Sequence, residues 1–162
     1  MDNRDPRQAL LERFVSHLPL GTTDQTLVIL KGHLLVEELL REYVHGQFSL
    51  PEHLSDARLT FQQCLCLAKA SDTDQSRDKL WLLVGKLNAL RNKLAHNLEP
   101  RDIDSALKEF VGIQSDFNPN DLFADKESNF GVLATCILGI CMSLSYVVHP
   151  IGRAPGDSRA AP

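Results

Sequence analysis

An all-α fold is what this sequence predicts, on three observations. Apolar residues recur at i, i+3, i+4 and i+7 in nearly every segment. No stretch keeps the two-residue alternation of a half-buried strand. Leu, Ala and Val dominate an apolar content of 43%, against only 6% aromatic, a balance that favours helices over a β-sandwich. With 162 residues the chain can bury one sizeable core and is short for two domains. The expectation is a bundle of about five to six antiparallel helices over residues 1–150, followed by a disordered tail at 151–162.

The first helix is expected at 7–18, carrying Leu10, Leu11, Phe14, Val15 and Leu18. "PLGTTD" breaks it. Thr23 or Asp24 can then cap a long second helix that reaches about His45. Its stripe is Val28, Gly32, Leu35, Val36, Leu39 and Tyr43. After the turn "GQFSLP", a third helix is expected over 52–70, with Phe61, Cys64, Leu65 and Ala68 on one face. "SDTDQS" offers several N-caps for a fourth, over 75–95, which Asn97 can close and Pro100 stops. A fifth, over 102–114, carries Ile103, Ala106, Leu107 and Phe110.

Residues 128–148, "SNFGVLATCILGICMSLSYVV", hold no charge and are long enough to span a bilayer. They also hold Asn129, Thr135, Ser143, Ser145, Gly131 and Gly139. The polar content favours a sixth helix buried in the core or facing a second copy, with a membrane anchor as the alternative. The N-terminus is charged and lacks an apolar run, so no secretory signal is read there. Cys64, Cys66, Cys136 and Cys141 form no C-x-x-C pair, and the reading is reduced core thiols rather than a zinc site. A cytoplasmic protein without metal or cofactor is expected.

The fourth helix holds an anomaly. On a projection of 100° per residue with Leu80 at zero, Leu83, Val84, Leu87 and Leu94 lie within about 60° of zero. Arg91 falls at about 20°, in the middle of that stripe. A guanidinium stays charged and is costly to bury alone, so it requires an anion, a wet cleft or a subunit interface. Glu37 and Glu38 are the candidate structural partners. His96 lies about 140° round from Arg91. The two converge only if the helix ends near Ala95 or if a second chain supplies half of the site.

Arginine grips phosphate with a bidentate fork, and histidine moves protons near neutral pH. Together they suit RNA cleavage by the substrate's own 2′-hydroxyl, with Asn92 hydrogen-bonding beside them. The net charge is −4, yet the 77–101 window holds six basic and two acidic residues. Lys86, Lys93 and Arg101 are therefore the candidate RNA-contacting residues. The structural alternative is a histidine that complements the helix dipole and an arginine in a buried ion pair. His17, His33, His45, His53 and His149 show no i, i+4 metal pairing and read as surface or packing residues, and Trp81 as core or dimer contact.

The stretch "LRNKLAHN" resembles the Arg-x4-His signature of the HEPN superfamily, as Arg91-Asn92-Lys93-Leu94-Ala95-His96. "LKGHLLVEELLREYV" is similar to the long early helix of relatives in that family. The resemblance implies a dimeric HEPN-like helical bundle in which Arg91 and His96 of both chains line one cleft, with Asn92 supporting. It further implies a metal-independent endoribonuclease, a toxin held by a cognate antitoxin or a defence component. The same superfamily includes non-catalytic regulators such as mannitol-operon-repressor-like proteins, so the resemblance also admits a regulatory or interaction protein.

Overall fold

The computed structural model describes residues 6–19, 22, 24–96, 102–113 and 131–149. Among them every regular element is helical. In chain order they are α1 (Pro6–His17), α2 (Gln25–His45), α3 (Glu52–Asp56), α4 (Phe61–Ser71), α5 (Asp78–His96), α6 (Ile103–Ile113) and α7 (Val132–Val148). The all-α class is as expected. The expected tail, Asn97, Pro100 and residues 128–130 lie outside the described residues.

Each boundary has a local cause. Asp24 caps α2 by accepting from the Leu27 amide at 3.1 Å. The expected third helix is two helices: α3 stops at Ala57, and Arg58 takes φ 46° in the left-handed region. Thr60 then restarts the chain with a capping box in which its side chain and that of Gln63 satisfy each other's backbone N–H. Helical periodicity runs through the break, and the reciprocal cap overrides it. The fourth expected helix begins later than its polar lead-in, because Gln75–Arg77 form a 3-10 turn capped by Asp74 on the Ser76 amide.

α7 forms one wall of the core. Every residue from Ala134 to Cys141 is buried, so this stretch is covered all round. It packs chiefly along α2 and also touches α1, α5 and α6. This matches the expected buried helix, and no helix among the described residues is long and apolar enough to cross a membrane. Three of the four cysteines are buried, and Cys66 is exposed. That split follows from their two-residue spacing, which turns Cys64 and Cys66 to opposite sides of α4.

Two contacts fix α5 against α2. Tyr43 meets Trp81 with ring centroids 5.3 Å apart. His33 meets Asn88 ten residues earlier on α2 and seven later on α5, so the two helices run antiparallel. Trp81 is buried, and its indole N–H donates to Asp72 Oδ2 at 2.8 Å. Arg77 holds the other oxygen of that carboxylate at 2.9 Å. The Asp72 side chain is only 5% exposed, so both donors offset its burial.

The tightest approach is between α2 and α7. A Cβ on Gly32 would lie 2.5 Å from Ile137 Cγ2, and Ile137 is fully buried. Gly32→Ala gains about 1 kcal/mol of helix propensity. It loses about 1–3 kcal/mol to overpacking against a side chain with nowhere to go. The expected net result is a lower urea midpoint; an unchanged midpoint in Gly32→Ala would contradict it. Trp81→Phe strands the Asp72 Oδ2 acceptor and is expected to cost about 1–3 kcal/mol in the same measurement.

Candidate functional site

Arg91 falls at about 20° on that projection, amid the apolar stripe of α5, and is half-buried there. Trp81, Leu83, Val84, Leu87 and Leu90 carry the burial of this helix. The structural partners proposed for Arg91 are taken. Glu37 receives two N–H groups of Arg41, the shorter at 2.6 Å, and Glu38 pairs with Arg13 on α1. Among the described residues no carboxylate pairs with Arg91. Its Nη1 instead donates to the side-chain oxygen of Asn92 at 3.1 Å.

His96 is the last residue of α5 and is exposed, so the helix continues through it. Local unwinding at Ala95 is therefore not what joins the two side chains. Within one protomer Arg91 and His96 leave the helix about 140° apart. Asn92 lies between them in angle, exposed, four residues before His96.

The candidate basic strip is uneven. Lys86 is held by Glu109 of α6 at 2.6 Å, so its charge is neutralised locally and it braces α5 against α6. Arg77 is likewise spent on Asp72 and Asp74. Lys93 is exposed, on the outer face of α5. Arg101 lies outside the described residues.

Sequence reading missed the polar group that borders Arg91. His33 was read as one of several scattered histidines. It is 4% exposed and stacks on Phe61 of α4, with centroids 4.5 Å apart. Its Nε2 lies 3.1 Å from Asn88 Oδ1, which can only accept, so Nε2 carries the proton and donates. Nδ1 faces Glu37 at 3.8 Å, beyond a hydrogen bond. A signal was present: with Gly32 at zero, Ile29, Leu40 and Val44 fall at about 60°, 80° and 120°, and His33 at about 100° lies among them. The buried arc of α2 is wider than one stripe because α4, α5 and α7 all cover it.

Burial pushes the His33 pKa below 6.5, opposed by Asn88 and Glu37, and the nearby Arg91 charge pushes it further down. Cysteine chemistry is disfavoured inside the core: burial raises Cys136 to about 11 and Cys141 to about 12. Among the described residues no three His, Cys, Asp or Glu side chains form a group able to hold a metal ion. A separate cavity of about 280 Å³ lies at the other end of α5, lined by Lys69, Asp72, Asp74, Asp78 and Trp81, far along the helix from Arg91.

No protein-family model, curated protein or solved structure matches this chain.

The His33 environment sets a pH dependence with a defined sign. The unfolded histidine protonates near 6.5, whereas the folded one resists until a lower pH. The unfolded state therefore binds more protons in that window. His33 is expected to contribute no pH slope above about 7 and to cost stability progressively as pH falls below 6.5. Side-chain NMR titration of His33 in the folded protein checks this; a midpoint at or above 6.5 would contradict it.

Proposed function

We propose that this chain is a metal-independent RNA endonuclease of HEPN type, acting as a homodimer whose paired α5 ends form one cleft. The observation that carries the reading is Arg91, half-buried, facing no carboxylate among the described residues, on the helix that ends at the exposed His96. An uncompensated guanidinium at the edge of a core is costly to fold and useful for holding a phosphate. In this scheme Arg91 neutralises the phosphodiester, Asn92 steadies it, and His96 moves the proton between the 2′-hydroxyl and the leaving oxygen. A toxin or defence role in the cytoplasm, checked by a cognate antitoxin, follows from the resemblance of "LRNKLAHN" to the HEPN signature.

The dimer is supported by an apolar row on α2. Leu27, Leu30 and Leu34 are 39%, 38% and 59% exposed at i, i+3 and i+7. The antiparallel register that pairs His33 with Asn88 brings Leu30 level with Arg91 one turn further on. A second copy seated on this row would border Arg91 and could supply the His96 that Arg91 cannot meet in its own chain. Lys93, and Arg101 beyond the described residues, are the remaining candidates for backbone contact, whereas the ion pair to Glu109 disfavours Lys86.

A second reading, a non-catalytic regulatory or interaction protein, draws on that same apolar row and on the loss of Lys86 from the basic strip. The two separate in one experiment. Purified protein with EDTA should cleave single-stranded RNA, and His96→Ala and Arg91→Ala should each reduce the rate by about 10²–10⁴-fold. Mixing the two inactive variants should recover part of the activity, because a hybrid dimer restores one intact Arg91–His96 pair. Cleavage at equal rates by all three proteins, or by none, would leave the regulatory reading. Leu34→Glu should shift the sedimentation mass towards monomer and remove activity with it.

A further inference from the structure

Asn88, Arg91 and Asn92 occupy one arc of α5, about 100° wide, over five residues. Asn88 sits between the other two in angle and one turn before Arg91, the spacing at which helical side chains are neighbours. Both amide oxygens are already committed: that of Asn88 accepts from His33, and that of Asn92 accepts from Arg91. With each oxygen turned to its partner, the N–H groups of all three side chains are left to face outward. Among the described residues no acceptor pairs with either amide nitrogen, and no carboxylate pairs with the guanidinium. Ala95, on the same arc, adds no bulk over them.

We propose that Asn88 joins Arg91 and Asn92 in a donor-only site for a phosphate oxyanion, with His33 fixing the Asn88 amide so that its nitrogen donates. The occupant is the phosphodiester backbone of single-stranded RNA, so this inference rests on the nuclease reading. The orientation of Asn88 is not its own choice. His33 is held by stacking on Phe61, and with the Asn88 oxygen 3.1 Å from its Nε2 the pairing takes the Nε2–H tautomer and turns the NH2 away.

The geometry carries a second consequence. The charged groups facing His33 are Glu37 on its own helix, with Arg41 bound to that carboxylate, and Arg91 on α5. Phe61 faces it from α4, and the buried Cys64 of that helix lies against Arg41. An anion on Arg91 cancels the positive field that opposes His33 protonation. Binding should therefore raise the His33 pKa, and by reciprocity lower pH should tighten binding.

The test is side-chain NMR of the full chain at constant ionic strength, with inorganic phosphate added against chloride. Phosphate is expected to move the Asn88, Asn92 and Arg91 side-chain resonances together and to raise the His33 titration midpoint. Asn88→Asp keeps the acceptor that His33 needs, and so keeps the fold, but replaces the donors with a carboxylate. It should weaken phosphate binding by about tenfold or more, the scale of a lost hydrogen bond to a charged group. A 2′-O-methyl oligoribonucleotide, which lacks the attacking hydroxyl, should displace the phosphate. Phosphate effects no larger than those of chloride, or equal binding by Asn88→Asp, would overturn the site. Phosphate bound but not displaced by the oligonucleotide would overturn the RNA assignment. RNA cleavage without a phosphate response sinks this inference alone; a phosphate response in a protein that cleaves no RNA sinks the nuclease reading alone.

Discussion

The missing side chain at Gly32 is the constraint on which the arrangement rests. It lets Ile137 lie against the α2 backbone at a distance no Cβ would permit. Because α7 is buried all round over eight residues, it cannot slide outward to relieve a clash. The seat of α2 against α7 then fixes which way the rest of α2 turns. One side carries Val36, Leu39 and Tyr43 into the core; the next carries His33 towards α4 and α5. A hydrophobic contact thus determines where a polar cluster can form.

Polar pairing beyond that contact is selective. Glu37, Glu38, Asp72 and Glu109 each hold a specific cation, and the ion pairs tie α1 to α2 and α5 to α6 and close the α4–α5 connection on itself. Arg91 is left out of that scheme, although two carboxylates of α2 lie on the neighbouring helix. Exposed ion pairs of this kind contribute little stability individually. Their effect here is distributive: they consume the negative charge that would otherwise settle on Arg91. The resulting surface at the end of α5 is rich in donors and poor in acceptors.

Much of the fold was legible because helical periodicity and caps are local. The stripes of α2, α5 and α6, an N-cap at Asp24 and the helical course of the apolar segment all follow from short-range rules. The division between α3 and α4 was missed because periodicity is blind to a backbone excursion at one residue, Arg58, that leaves the apolar spacing on either side intact. The later start of α5 was missed for a related reason. Several residues of "SDTDQS" can cap, and only the contacts of Asp72 with Trp81 and Arg77 select among them.

By itself the sequence determined that the chain is helical, which faces are apolar, and that Arg91 interrupts an apolar stripe. Those properties depend on neighbours within a few residues. Tertiary structure alone decided that Glu37 and Glu38 serve other arginines, that Lys86 is neutralised by Glu109, and that His33 is buried against Asn88. Charge pairing and amide orientation between helices depend on register and separation, which the linear spacing of residues on each helix does not encode.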